Sequence, residues 1–266
     1  MDKQAASAAA ILPSRPPTLC AGCPHRASFH AINLAVRKVK KDLGEQRVLT
    51  GDIGCYSLGI NPPLSSYDVD CCMGAGFGIA NGVARGQNGP VVGHLGDSTF
   101  FHSGIPAMID AVFNKTKVTM MVLDNSATAM TGFQPHPGAP GAGEIGIKIE
   151  DIAKACNVKF VEVVNPFDLK KTTEVIEKAI RFEGPSLIVS RAMCGILAQR
   201  DSRQRGEKTV PYKINLETCT SCKVCLNSLG CPAIILADDQ VTIDSAQCYG
   251  CVLCAQVCAT KSIVQE

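Results

Sequence analysis

A chain of 266 residues, 46% of them apolar, has room for one large domain or two unequal ones and for a sizeable core. Its formal charge of +2 offers no basic surface for nucleic acid or an anionic membrane. The outlying number is 15 cysteines, which in a small secreted chain would mean disulfides. Ala5 to Leu12, however, is too short for a membrane span and runs into Pro13, Pro16 and Pro17, unlike a secretory signal. The expectation is a cytoplasmic, oxygen-sensitive protein.

In chain order, residues 1–17 read as an N-terminal arm. Thr18-Leu19-Cys20-Ala21-Gly22-Cys23-Pro24-His25 then enters a helix with Ile32, Ala35, Val36 and Val39 on one face and Arg37, Lys38, Lys40 and Lys41 on the other. Cys20 and Cys23 can share a metal centre but not complete one. Val48 to Cys55 is a strand ending in a glycine turn at Gly54, and Cys55 is a candidate third ligand. Asp68 to Cys72 makes a poor strand, so the glycines of Met73 to Gly82, a small-residue helix start, do not form a nicotinamide fingerprint.

Two apolar runs follow, Val91 to Leu95 and Val118 to Leu123, with Phe101, Ile105, Met108, Ile109, Val112 and Phe113 at helical spacing between them. This is a βαβ unit, which puts Gly96-Asp97-Ser98 and Asp124-Asn125 at the carboxyl edge of a parallel sheet. Asp97, Asn125 and a loop carbonyl near Ala127 could give Mg²⁺ three hard oxygens, with phosphates completing the octahedron. Asp and Asn at strand ends are also ordinary caps and turn formers, so both readings stand on these residues alone.

Pro135 to Gly143 is a loop. Ile152 to Cys156 reads as a helix, Phe160 to Val164 as a strand, Asp168 to Phe182 as a helix and Ser186 to Ser190 as a strand, with Cys194 just beyond. Polar, unpatterned residues from Arg200 read as a linker over 200–211, dividing an α/β domain at 18–199 from a small domain at 212–266. In the small domain Cys219, Cys222, Cys225 and Cys231 are echoed by Cys248, Cys251, Cys254 and Cys258. Eight cysteines in this repeat, with no ligand His, disfavour zinc.

The doubled cysteine repeat resembles the bacterial two-cluster ferredoxin, in which three close cysteines hold one 4Fe-4S cluster and the fourth reaches across to the other. The resemblance implies one cluster on Cys219, Cys222, Cys225 and Cys258 and another on Cys248, Cys251, Cys254 and Cys231. Two departures stand out: five residues rather than three precede the first Cys-Pro, and Ala259 stands where Pro is usual. Gly96-Asp97-Ser98 followed by Asn125 resembles the thiamine diphosphate motif, and Thr131-Gly132-Phe133-Gln134 resembles its form in the 2-oxoacid:ferredoxin oxidoreductase family. Ser98 replaces the usual glycine.

This family implies a doubly wound α/β sheet binding thiamine diphosphate and Mg²⁺, followed by an α+β ferredoxin-like domain. The metal would be held by Asp97, Asn125 and Ala127, and the cofactor would be lined by Gly96, Ser98, Gly54, Cys55 and His25. A third 4Fe-4S cluster near the thiamine would sit on Cys20, Cys23, Cys55 and Cys194. The motif order most resembles the α subunit of the indolepyruvate branch without its N-terminal half. That implies oxidative decarboxylation of an arylpyruvate to an acyl-CoA, with coenzyme A as co-substrate and electrons passed to ferredoxin or a similar acceptor. The activating Glu, the pyrimidine-binding domain and a γ-type domain are expected on partner subunits. The alternatives are a non-catalytic electron-transfer subunit and a related enzyme for branched-chain or arylglyoxylate acids. Met130 and Phe133 would suit an aromatic substrate or simple packing. His94, His102, His136, Cys71, Cys72 and Cys156 receive no role.

Overall fold

The computed structural model describes residues 17–43, 46–141 and 144–266; the expected arm, apart from Pro17, lies outside them. Helix α1 (Pro24–Leu43) leads into β1 (Val48–Asp52), and a short 3-10 turn, Cys55–Ile60, into β2 (Val69–Cys71). Helix α2 (Ala75–Gly86) returns the chain to β3 (Val91–Gly96), and α3 (Ile105–Phe113) leads to β4 (Thr119–Asp124). Then follow α4 (Ile149–Ala155), β5 (Phe160–Val164), α5 (Leu169–Arg181) and β6 (Ser186–Arg191). The six strands form one parallel sheet in the order β2-β1-β3-β4-β6-β5.

The sheet is covered on both faces, which is why its central strands read as unbroken apolar runs. Successive side chains of β4 alternate between two cores: Met121 and Leu123 pack with α1 and α5, Met120 and Val122 with α2, α3 and α4. On α1 the predicted apolar residues Ile32, Ala35, Val36 and Val39 are all buried, and so are Ala27, Phe29 and Ala31 in its first half. From β1 the chain steps outward to β2 and then back past β1 to β3, so the loops after β1 and β3 part at the carboxyl edge and open a crevice there.

Two expectations are corrected here. Asp68 to Cys72 contains a strand after all: Val69–Cys71 pairs in parallel with Thr50 to Asp52. As an edge strand it needs one neighbour and no buried faces, so it lacks the apolar pattern that marks β4. The linker is shorter than 200–211, because α6 (Gly195–Gln204) starts directly after Cys194 and carries its exposed end through Gln204. An ion pair between Asp201 and Arg205 spans its last turn.

Beyond it, β7 (Tyr212–Ile214) pairs antiparallel with β10 (Ile263–Gln265), and β8 (Ile234–Ala237) with β9 (Gln240–Ile243). The short helices α7 (Val224–Leu229) and α8 (Leu253–Val257) each begin inside a cysteine group. Leu229, Ile234, Val241 and Leu253 belong to the same buried cluster as α1, so the small unit shares a core with the sheet domain. Gln256 fastens the other side: its side chain accepts from Leu169 N at 3.1 Å and donates to Phe167 O at 2.7 Å.

Candidate cofactor and cluster sites

The crevice after β1, β3 and β4 is a cavity of about 140 Å³ lined by His25, Gly54, Cys55, Gly96, Asp97, Ser98, Asn125 and Ala127. All eight residues expected around the cofactor therefore line one cavity. Asp97 is buried, and its carboxylate is held by backbone: Ser98 N donates to Oδ1 at 2.8 Å and Asn125 N to Oδ2 at 3.1 Å. Gly96 has a steric role, since a Cβ there would come within 2.7 Å of the Tyr56 ring. Tyr56 in turn donates to Asp52 Oδ1 at 2.8 Å, and burial pushes the Asp52 carboxyl up to about 6.

Asn125 opens a turn in which Ser126 takes a left-handed φ of 62° and Ala127 N donates to Asn125 Oδ1 at 3.2 Å. The Asn125 Nδ2 lies 3.2 Å from His25 Nε2. Burial lowers the His25 pKa to about 4, against the pull of Asp97, so the imidazole is neutral at pH 7. Arg191 steadies the base of this turn, bonding Asp124 Oδ2 through Nε at 2.6 Å and Glu150 through both terminal nitrogens.

Behind the crevice, a second cavity of about 90 Å³ is lined by Cys20, Cys23, Cys55 and Cys194. Three distant stretches meet there: the CxxC before α1, the turn after β1, and the loop after β6, where Cys194 N donates to Asn125 O at 2.9 Å. His25, Cys55 and Asn125 line both cavities. Burial pushes the Cys23 thiol up to about 12 and Cys55 to about 11, the latter reinforced by Cys194 and Cys20. Burial keeps such thiols protonated unless a cation offsets it, as Arg26 does in part for Cys23 and a metal would do fully, so the donor set fits a thiolate-bound centre.

The ferredoxin-like cysteines form two further groups. A third cavity is lined by Cys231, Cys248, Cys251 and Cys254 together with Gly22, Cys23 and Arg26. Cys254 is pushed up to about 12 by burial and then by Cys251, Cys231 and Cys248. Cys225 is raised by burial, with smaller contributions from Cys258 and Cys222. The fourth cysteine of each repeat thus lies beside the other triplet. Burial opposes ionisation of Cys258, but hydrogen bonds from Thr260 and the backbone N–H of Ser262 and Ile263 outweigh it. Tyr212 N donates to Cys248 Sγ at 3.4 Å. Among the described residues no three His, Cys, Asp or Glu side chains close on a single ion, and no helix is long and apolar enough to cross a membrane.

Several site residues escaped the sequence reading. His136, left without a role, is buried with Nε2 3.1 Å from Asp97 Oδ2, although not aligned for a hydrogen bond. Its loop position gave no signal. Arg26 did give one: a cation on the first turn of a helix opposes the helix dipole and calls for another reason to be there. Tyr249 packs on Gly22, which has a left-handed φ of +68° and where a Cβ would come within 2.7 Å of the Tyr249 side chain. Cys71 and Cys72 are exposed and line none of these three cavities, although the adjacent Met73 lines the crevice, and Cys156 packs against the core beside α4.

Residues 52–190 match the family described as thiamine pyrophosphate enzyme, C-terminal TPP binding domain. Among curated proteins, the chain is 47% identical over 259 residues to indolepyruvate oxidoreductase subunit IorA of Archaeoglobus fulgidus, covering 96% of this chain and 40% of that protein. The IorA subunit of Methanothermobacter marburgensis is 44% identical, with 96% of this chain and 41% of the relative covered. The chain thus spans about 40% of the length of these relatives. A solved 2-oxoglutarate:ferredoxin oxidoreductase from Magnetococcus marinus superposes with a TM-score of 0.58 at 20% identity, over 68% of this chain and 66% of that one, a likeness of fold.

Proposed function

The chain belongs to the thiamine pyrophosphate enzyme family, carrying its C-terminal cofactor-binding domain, and from that premise we propose that it is the diphosphate-binding and electron-carrying part of a 2-oxoacid:ferredoxin oxidoreductase acting on arylpyruvates. The indolepyruvate oxidoreductase names of its relatives support the substrate class. The observation that carries the reading is the common wall: His25, Cys55 and Asn125 line both the crevice at Asp97 and the four-cysteine cavity. A redox centre there is one side chain away from the cofactor.

In this reading Asp97, the side-chain oxygen of Asn125 and the Ala127 carbonyl hold Mg²⁺, while Gly54, Gly96 and Ser98 let backbone approach the diphosphate. His25, neutral and hydrogen-bonded to Asn125, orients that amide and closes the crevice on the cluster side. Thiamine diphosphate, when bound, supplies the electron sink for decarboxylating a 2-oxoacid. Cys20, Cys23, Cys55 and Cys194 hold a near 4Fe-4S cluster. The inner ferredoxin cluster is on Cys231, Cys248, Cys251 and Cys254, and the outer one is on Cys219, Cys222, Cys225 and Cys258. The activating Glu, the pyrimidine-binding domain and the γ-type domain come from a partner subunit, and coenzyme A takes the acyl group.

The test is viologen reduction by the anaerobically recovered complex on adding an arylpyruvate, with and without coenzyme A. Reduction requiring both supports the assignment. Silence toward every 2-oxoacid, with iron in place and the partner present, leaves this chain as an electron-transfer subunit without catalysis.

A further inference from the structure

Arg26 is only 3% exposed. Among the described residues no carboxylate stands within ion-pair reach of it; its partners are the carbonyls of Leu19 and Cys20 on one side and of Leu229 and Gly230 on the other, and its Nε has none. Carbonyls satisfy hydrogen bonds but do not cancel charge. A buried cation left without a counter-charge is strongly destabilising, so an anion belongs beside it.

The surroundings supply one on each side. Arg26 lines the cavity of Cys231, Cys248, Cys251 and Cys254, and so does Cys23 of the near quartet. Its guanidinium bonds Cys20 O at 3.3 Å, within the near quartet's loop, and Gly230 O at 2.8 Å, the carbonyl immediately before Cys231. A 4Fe-4S core held by four thiolates is net negative, and each electron it accepts adds a further negative charge that a neighbouring cation stabilises.

We propose that Arg26 is the shared counter-cation of two clusters, the near one at Cys20, Cys23, Cys55 and Cys194 and the inner one at Cys231, Cys248, Cys251 and Cys254. It ties their loops together and raises both reduction potentials, leaving the outer cluster at Cys219, Cys222, Cys225 and Cys258 unaffected. Arg26 is a positioning residue: one electron enters the near cluster from the substrate side and one leaves it for the inner cluster, with no bond made and no proton moved. This rests on the assignment of iron–sulfur clusters to these quartets.

The experiment is an EPR-monitored redox titration of the anaerobic complex carrying the wild-type chain, Arg26→Gln, Arg26→Lys or Gln256→Ala. Gln256→Ala loosens the contact between the same two domains at its other side, through Leu169 N and Phe167 O, without touching the charge. For Arg26→Gln we expect the near and inner clusters to become harder to reduce by about tenfold in their oxidised-to-reduced ratio, about 59 mV for one electron, with the outer cluster unmoved. Arg26→Lys and Gln256→Ala should stay close to wild type. Should Arg26→Gln lose iron instead, Arg26→Lys should restore it. Unchanged potentials in Arg26→Gln would overturn the proposal, as would an equal shift in Gln256→Ala or Arg26→Lys matching Arg26→Gln in shift or iron loss. Absence of any iron–sulfur signal in the wild-type complex would instead remove the cluster assignment on which the proposal stands.

Discussion

Asp97 tests the cofactor site at the scale of one side chain. Its two oxygens already accept from Ser98 N and Asn125 N, its Oδ2 also lies 3.1 Å from His136 Nε2, and the residue lines the crevice. Asp97→Asn removes the negative charge that would hold Mg²⁺. Hydrogen bonds and contacts to charged groups are worth about 1.5–3 kcal/mol, so Mg²⁺-dependent thiamine diphosphate binding, measured by equilibrium dialysis, should weaken at least about tenfold. Binding with unaltered magnesium dependence would move the metal elsewhere. Asp52 makes a different prediction. Burial raises its pKa from 3.8 to about 6, so the folded state favours the protonated form. Its contribution is fully present below pH 4 and is lost as pH rises through about 6, which makes ionised Asp52 a cost at neutral pH. Asn can accept from Gly74 N and donate to Tyr56, replacing both of the carboxylate's bonds. Asp52→Asn should therefore flatten the fall in thermal midpoint between pH 4 and 6; a slope equal to wild type would show that Asp52 does not titrate there.

At the scale of elements, the strands buried on both faces were the most legible. β3, β4 and β6 lie within one residue of their expected bounds at each end, because burial on two sides leaves nothing for a strand to be but apolar; Phe160–Val164, an edge strand with Glu162 and Val163 exposed, has the expected bounds because three of its five residues are valines. What was not legible lacked a buried face: β2 at the sheet edge, and the exposed end of α6. Contacts between loops were also invisible, because no periodicity encodes them. Gly22 against Tyr249 is the clearest case, joining the first cysteine loop to the second half of the cysteine repeat. Gly22→Ala adds a strained left-handed residue, about 1–2 kcal/mol, and a methyl group where the Tyr249 side chain already sits. The small domain should then loosen, read as faster limited proteolysis within residues 205–211 and earlier loss of iron on heating; protection equal to wild type would mean that the two loops do not hold each other.

At the scale of the whole molecule, cysteine spacing announced that there were quartets, while only the fold could bring Cys55 and Cys194 to one cavity across the width of the sheet. The order of the cysteine groups in space was not in the sequence either. It follows from packing α1 between the sheet and the small domain, which leaves Cys23 on the walls of two cavities. If the crossed ligand sets are right, Cys231→Ser and Cys258→Ser must differ in kind although each removes one cysteine from the same small repeat. Cys231→Ser damages the inner cluster and breaks the chain of centres in its middle: an arylpyruvate should still reduce the near cluster, seen by EPR in the complex, while reduction of the outer cluster and of viologen slows by an order of magnitude or more. Cys258→Ser damages the outer cluster and should leave both the near and the inner clusters reducible by substrate. Were the ligands uncrossed, the two variants would exchange these signatures, so one pair of spectra distinguishes the arrangements.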